Sequence, residues 1–138
     1  MAKGMVFVSK VAFNRIPAVA RAMSSGADDI VQKTAFDLQA EIQTSLTGQR
    51  RGRRYGDHTA SAPGEKPARD MGALAGGIGI THGFRKATVF SSASYSPHLE
   101  FGTRNMAPRP YMRPAARKLQ AIFTFAMKVM MDRATGAQ

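Results

Sequence analysis

The sequence predicts an α+β fold: a long N-terminal helix and a long C-terminal helix packed on a small antiparallel β-sheet, with a long basic Gly- and Pro-rich loop. Residues 28–46 and 115–134 carry apolar side chains at spacings of three and four, which is the helical period. Between them, residues 78–90 alternate apolar with small or polar side chains, as a hairpin does. Residues 48–72 carry repeated glycines and prolines and almost no large apolar side chain, which indicates the loop.

Length and composition bound the class of protein. With 138 residues and no cysteine, we expect one domain, residues 1–138, that folds without disulfides and without a thiolate metal site. No apolar run approaches the roughly 20 residues of a membrane-spanning helix, and Lys10 interrupts the N-terminal apolar stretch that a signal peptide would need. We therefore expect a soluble protein made and kept in a cytoplasm, with no membrane partner.

The charge gives the first indication of a partner. Twenty Lys and Arg residues oppose nine Asp and Glu residues, so the net charge is +11 and the isoelectric point is near 10.9. Such a balance favours a polyanionic partner, or a position crowded by one, as in ribosomal, nucleic-acid-binding or nucleic-acid-containing assemblies. Charge alone does not distinguish among these.

The N-terminal region begins with a segment of β-like pattern. Val6 and Val8 alternate with other residues, which favours an arm or a short strand over residues 1–13. Asn14 is a suitable cap for the first helix, because its side chain can accept a hydrogen bond from a first-turn amide. The step Ser24-Ser25-Gly26 predicts either a kink or a second helix start with Ser25 as its cap.

The second half of the first helix has the strongest pattern in the chain. Its apolar stripe consists of Val31, Ala35, Leu38, Ile42 and Leu46. Gly48 is the expected end of this helix.

Four arginines dominate the loop at 48–72. They are Arg50, Arg51, Arg53 and Arg54, next to Tyr55 and His58. Arginines neutralise DNA phosphates without reading sequence, and no helix or finger motif presents these four to a groove, so we expect proximity to DNA without sequence-specific recognition. Two alternatives stay open, a solvated basic loop and pairing with acids of a neighbouring subunit. A loop of about 25 residues is long for a compact domain, which suggests that it orders against a partner.

Residues 69–90 predict a helical turn and a hairpin. Arg69–Leu74 fits a short helical turn before Gly76-Gly77. Alternation from Ile78 to Phe84 gives one strand, and Thr88-Val89-Phe90 gives a second after a turn around Arg85 and Lys86. The glycine run lacks the lysine of a P-loop and the spacing of a dinucleotide-binding motif, so it is not a phosphate cradle.

The segment Ser94–Ala115 is the most unusual connection in the chain. Three prolines in seven residues predict a stiff, extended backbone, since each proline fixes its own φ and disfavours helix in the residue before it. A segment of this kind presents a surface or docks onto one. The three are Pro108, Pro110 and Pro114.

The last helix is expected to begin with Pro114 at its first position and to end at Gly136. Its stripe consists of Ala115, Leu119, Ile122, Ala126, Val129 and Met130. Additional apolar side chains widen this surface beyond one stripe; part of the excess fits core packing with a methionine-rich fringe, and the rest indicates a subunit interface. They are Phe123, Phe125, Met127 and Met131.

An enzymatic function has weak support. His98-x-Glu100 and Asp57-His58 are the two pairs that could ligate a metal in a DNA-cleaving enzyme. His98 and Glu100 share a face in a strand, whereas a helical turn would point them apart. No serine or lysine has a recognisable base and orienting acid. We therefore expect no enzyme, no catalytic residue, no metal site and no cofactor. A metal-dependent nuclease remains the least favoured alternative, after a small basic nucleic-acid-binding protein.

Three sequence elements occur in a set order. The first is Ser-Ala-Pro-Gly-Glu-Lys-Pro-Ala at Ser61–Ala68, followed by Asp70, Gly72 and Leu74. The second is Tyr95–Thr103, ending in Leu-Glu-Phe-Gly-Thr, and the third is Arg-Pro-Tyr-Met-Arg-Pro-Ala at Arg109–Ala115. With a hairpin between the first and the second, this set resembles the neck proteins of tailed bacteriophages, also called tail-completion, head-tail joining or minor tail proteins. Met71 and Ser96-Pro97-His98 depart from the family pattern and affect local packing.

The resemblance implies a structural role. It implies an α+β subunit that assembles with itself into a six-fold or twelve-fold ring, a connector in the virion neck. The implied partners are the head-closure protein, the tail terminator or tail tube, and the packaged double-stranded DNA, contacted without sequence specificity. The implied location is the virion, after assembly in the host cytoplasm.

The resemblance also yields a hypothesis about the segment Ser94–Ala115, namely that it forms a structural turn and the adjacent subunit contact. Glu100 is expected to pair with Arg104, Arg109 or Arg113, either within the chain or across the contact. The residues of this hypothesis are Tyr95, Leu99, Glu100, Phe101, Gly102, Thr103, Arg109, Pro110 and Tyr111.

Overall fold

The computed structural model describes residues 16–47, 52–55, 58–59, 62 and 72–136. Two long helices, α1 (Ile16–Ser45) and α4 (Met112–Thr135), accompany a small antiparallel sheet, which confirms the predicted α+β class. The elements between them are β1 (Arg54–Tyr55), β2 (His58–Thr59), α2 (Ala73–Gly76), β3 (Ile78–Gly83), β4 (Lys86–Ser91) and α3 (Ser96–Phe101). Neither long helix is long and apolar enough to cross a membrane, and the same holds for the other described helices.

Helix α1 runs without interruption through the Ser24-Ser25-Gly26 step. The Ser25 hydroxyl donates back to the carbonyls of Arg21 and Ala22, at 3.2 and 3.3 Å, so it satisfies groups of the preceding turn. The alternative of a second helix start capped by Ser25 is therefore wrong. Asn14 and Gly48, the predicted cap and end, lie outside the described residues.

Strands β3 and β4 form the predicted hairpin. Ile78 pairs with Ser91 and Gly83 with Lys86, which leaves a two-residue turn, Phe84-Arg85. Arg85 adopts a positive φ of 51°. Its amide donates to Asp28 Oδ1 at 3.1 Å and its guanidinium to the Ser24 hydroxyl, so the turn is attached to α1 despite the unfavourable backbone conformation.

The predicted loop at 48–72 contains a minimal hairpin within its described part. Strands β1 and β2 pair antiparallel, Arg54 with Thr59 and Tyr55 with His58. Tyr and Thr are residues that favour strands, and a composition-based prediction of a loop does not detect pairing over two residues. Helix α2 follows Gly72, and it covers the C-terminal part of the predicted helical turn.

The core lies at one end of the helix pair. Helices α1 and α4 pack along each other and are antiparallel, since the end of α1 meets the beginning of α4 while Gly26 lies close to Met130. The hairpin packs on α1 as well. The buried cluster consists of Ile42, Leu46, Leu74, Ile78, Tyr111 and Ala115.

Two glutamines of α1 donate hydrogen bonds to backbone carbonyls beside the buried cluster. Gln39 Nε2 donates to the Ile78 carbonyl at 2.7 Å and Gln43 Nε2 to the Ala75 carbonyl at 3.1 Å. Both carbonyls are at the edge of the core, where an unpaired acceptor would be costly. The α1 helix thus positions α2 and the start of β3.

The prediction that Ser94–Ala115 is extended is wrong for most of the segment. Residues 96–101 form α3, and α4 begins at Met112, two residues before the predicted start. Pro114 therefore occupies the third position of α4, where its missing N–H is one of the four that no helix can pair internally. Arg113 is helical although a proline follows it, so the local bias of that step is overridden. Only residues 107–110 keep the irregular backbone that the prolines predict.

Candidate functional site

Glu100 is the centre of the segment that the sequence singled out. It lies in α3 with only 6% of its surface exposed. Its Oε2 accepts hydrogen bonds from the amides of Tyr111 at 2.9 Å and Met112 at 3.1 Å. Its Oε1 accepts one from the amide of Arg113 at 3.0 Å. One carboxylate therefore binds three consecutive N–H groups at the beginning of α4.

The backbone between α3 and α4 reverses so that this contact can form. Gly102 ends α3 with a φ of 77°, and an added Cβ there would lie 2.8 Å from the Met106 carbonyl oxygen, so only glycine fits. Thr103 and Met106 then pair across a tight turn. The Arg109 amide donates to the Leu99 carbonyl at 2.7 Å, which returns the chain to α3. The amides of residues 111–113 consequently face Glu100.

The arrangement is a helix cap supplied from another helix. The first four N–H groups of an α-helix have no partner within the helix, and the N-terminus carries a partial positive charge. A carboxylate that accepts several of these N–H groups gives them a hydrogen-bond partner and also places a negative charge at the positive end of the helix. Such charge-assisted hydrogen bonds are shorter and stronger than neutral ones. Glu100 thus replaces a local cap, and Tyr111 makes no side-chain capping bond of its own.

Tyr111 connects the capped helix end to the core. Its side chain has no exposed surface and belongs to the same buried cluster as Ile42 and Leu46. Its hydroxyl makes a short hydrogen bond with the buried Ser96 hydroxyl at the start of α3. Because a buried hydroxyl needs a partner, the pair holds the beginnings of α3 and α4 together.

The predicted arginine partner of Glu100 plays a minor part. Arg113 Nε is 3.9 Å from Glu100 Oε1, at the outer limit of an ion pair, and its side chain is more than half exposed. The guanidinium lies 4.3 Å from the centroid of the Phe101 ring, a cation–π contact. Arg109 acts through its backbone amide instead, and its Nε is buried without a hydrogen-bond partner in the described part of the chain. Sequence reasoning missed the backbone amides as the principal partners.

The other predicted members of the segment divide into buried and exposed ones. Leu99, Gly102 and Pro110 are half-buried and shape the turn, whereas Thr103 is exposed. Tyr95 and Phe101 expose 45% and 62% of their surface. The structure therefore brings these residues together, with two aromatic rings left on the outside.

The basic loop is described in part. Arg50 and Arg51 lie outside the described residues. Arg53 and Arg54 are exposed, and Arg54 begins β1. The proximity of this loop to DNA stays a prediction.

His98 and Glu100, one of the two candidate metal-binding pairs, lie in the same helix and point in different directions. His98 is exposed on α3, whereas Glu100 points inward with both oxygens bound to backbone amides. Asp57 lies outside the described residues. Among the residues that the structure describes, no group of three or more His, Asp or Glu side chains is placed to hold a metal ion. The chemistry available at Glu100 is acceptance of backbone N–H groups, which is an architectural role.

A second region of interest lies at the far end of the helix pair. A groove of about 600 Å³ runs between α1 and α4, lined by Ala22, Gly26, Ile30, Phe125, Ala126 and Val129 among others. Phe125, which lines the groove, exposes 70% of its surface, and Ile122, three residues earlier on α4, exposes 54%. Phe125 is one of the additional apolar residues that the sequence assigns to a subunit interface, whereas Ile122 belongs to the predicted stripe and is exposed here.

Comparisons with known proteins gave no match. No protein-family model, curated protein or solved structure matches the chain.

Proposed function

We propose that the protein is a structural subunit of the neck of a tailed-bacteriophage virion, where it forms a ring that joins the DNA-filled head to the tail. The observation that carries the proposal is the link between two of the three sequence elements of the resemblance. Glu100 belongs to Tyr95–Thr103, and the amides that it binds belong to Arg109–Ala115. Two elements that occur together in the sequence thus depend on each other in the fold.

The type of interaction also supports an architectural role. Glu100 is buried and both of its oxygens accept backbone N–H groups, so the carboxylate faces the start of α4 and not the surface. In this proposal Glu100 and Tyr111 build the turn within one subunit. The exposed aromatic residues of the same segment, Tyr95 and Phe101, form the contact with the next subunit. Contacts between unlike surfaces of identical subunits close into rings when the rotation permits.

The charge agrees with a ring around DNA. A net charge of +11 is unfavourable for self-association unless a polyanion lies nearby. Packaged double-stranded DNA supplies that polyanion, and the head-closure protein and the tail terminator or tail tube are the neighbouring layers in this proposal. The localisation proposed is the virion neck.

The test is the mass of the particle that the full-length chain forms with virion partners, by native mass spectrometry or cryo-imaging. A six-fold or twelve-fold ring is expected. Phe101→Ser should weaken the ring, whereas Phe84→Ser, which removes an even more exposed ring at the hairpin tip, should leave it intact. A chain that stays monomeric with these partners contradicts the proposal.

A small nucleic-acid-binding protein is the second candidate, and the net charge favours it. The two functions differ in the free subunit. A nucleic-acid-binding protein binds duplex DNA tightly as a monomer, with a salt dependence that reports several phosphates. A ring component binds weakly until it assembles. Tight binding by the monomer would favour the second candidate.

A further inference from the structure

The outward face of α4 carries a line of polar and basic side chains. Arg113, Arg117, Gln120, Thr124 and Lys128 are all exposed and follow one another at intervals of three or four residues, which places them on one side of the helix. At 1.5 Å per residue, the line from Arg113 to Lys128 is about 22 Å long. It lies on the side of α4 opposite Ala115 and Leu119, which are buried against the core.

The charge on this face is of one sign. Helix α4 holds five basic residues and one acidic residue, Asp132, which lies beyond the end of the line. Lys118 lies on a different face and pairs with Glu41 of α1 at 2.9 Å, so its charge is engaged. Helix α1, by contrast, holds four acidic and two basic residues. Of the two long helices, α4 therefore carries the excess of positive charge and α1 the excess of negative charge.

The first cation of the line is held in position. The guanidinium of Arg113 is stacked on Phe101 and lies near the Glu100 carboxylate, so it loses less conformational freedom on binding than an unrestrained arginine. The negative charge of Glu100 is buried and directed at the start of α4. It does not lie on the surface of the line.

The line has the properties of a surface for nucleic-acid backbone. No large apolar side chain lies on it between Arg113 and Lys128, whereas protein interfaces depend on buried aromatic and aliphatic anchors. Gln120, between the cations, is among the side chains that hydrogen-bond phosphate oxygens, whereas the Thr124 hydroxyl donates to the Gln120 carbonyl at 2.9 Å. A length of about 22 Å corresponds to roughly six base pairs of duplex. The large apolar residues of this half of α4, Ile122 and Phe125, lie on another face.

We propose that this face of α4 binds the phosphate backbone of double-stranded DNA without sequence specificity. Its residues are other than those of the basic loop, Arg50–Arg54, whose proximity to DNA is predicted from the sequence. The proposal rests on the proposed function only in identifying duplex DNA as the nearby polyanion. The free chain is expected to bind weakly, and the salt dependence of that binding is measured without a ring.

The test measures binding of the full-length chain to a mixed-sequence duplex over a range of salt concentrations. The triple variant Arg113→Gln, Arg117→Gln, Lys128→Gln removes three cations from the line. The logarithmic salt slope should fall by about 2 to 3, since each phosphate contact contributes roughly 0.9. A matched control, Arg21→Gln, Lys33→Gln, Lys118→Gln, removes the same charge from other faces and should change the slope by less than about 1.

A second variant controls for the possibility that replacing Arg113 disturbs folding. The double change Arg117→Gln, Lys128→Gln leaves the Glu100 and Phe101 contacts intact and should lower the slope by about 2. Equal losses in the triple variant and its control would overturn the proposal, because charge alone would then explain binding. An unchanged slope in the triple variant would also overturn it, and would favour an acidic protein as the occupant of this face.

Ring formation is scored separately on the same variants. If the triple variant shows the expected decrease in the salt slope of DNA binding and still forms rings with the virion partners, both proposals are supported. If the wild-type chain forms no ring but the slope falls as expected, the DNA-binding face stands and the proposed function fails.

Discussion

The two ends of the α1–α4 pair differ sharply in packing. At one end, Ile42, Leu46 and Tyr111 each expose 1% or less of their surface. At the other end, none of the described side chains in residues 17–34 and 122–136 is buried, and a groove of about 600 Å³ is lined by both helices. We refer to these as the closed end and the open end.

The difference arises from what the rest of the chain contributes. At the closed end α2, β3 and the Glu100 segment add a third layer over the two helices. At the open end, among the described residues, the neighbouring element is the hairpin turn, which is bonded to α1 through Arg85. The same apolar stripes thus form a core where a third layer exists and an exposed surface where it does not. The closed end therefore holds the buried core, whereas the open end leaves apolar side chains such as Ile122 and Phe125 exposed.

The largest expected difference between the two ends is in the loss of unfolding free energy when an isoleucine at each end is replaced by alanine. Ile42→Ala at the closed end should cost about 2–5 kcal/mol, since it leaves a cavity in a fully buried site. Ile122→Ala at the open end should cost less than about 1 kcal/mol, because the side chain is already half exposed. Chemical denaturation of both variants measures the difference. Similar losses would show that the open end is also part of the core.

The next effect isolates the cap. Glu100→Gln should lower the free energy of unfolding by about 2 kcal/mol, because the negative charge is lost and an amide NH₂ then faces a backbone donor. The matched change Arg113→Gln removes the partner at 3.9 Å and should cost about 0.5 kcal/mol or less, as exposed ion pairs do. If the arginine variant were the more damaging one, the ion pair rather than the cap would hold α4.

The smallest effect tests the hydroxyl pair. Tyr111→Phe should cost about 1 kcal/mol, since it leaves the buried Ser96 hydroxyl without its partner while the ring still fills its space. Tyr95→Phe is the control, because its side chain is 45% exposed and should be replaceable without measurable change. Thermal unfolding of the two variants compares them. Equal melting temperatures would indicate that the Ser96 bond contributes nothing.

The parts of the fold that local pattern decides were predictable. The stripe through Ile42 and Leu46 and the alternation in residues 78–90 each need only their own sequence to specify helix or strand, and both were correct. The end of α4 at Gly136, with a φ of 72°, follows from the preference of glycine for that conformation.

The parts that depend on distant partners were not predictable. The start of α4 at Met112 conflicts with the local bias of the Arg113-Pro114 step, and it is held by a carboxylate eleven residues or more away in sequence. The sequence singles out Glu100, but an acid near several arginines suggests an ion pair, and no sequence pattern indicates that its oxygens will bind backbone amides. The α3 helix was missed because six residues are too few for a period to show.

Hydrogen–deuterium exchange at the amides of Tyr111, Met112 and Arg113 tests most directly whether Glu100 holds the closed end together. In the wild-type chain these three amides should exchange as slowly as those of the core, although first-turn amides of a helix are normally among the fastest. In the Glu100→Gln variant their protection should fall while that of the helical amides around Ile42 changes far less. Fast exchange of the three amides in the wild-type protein would contradict the account.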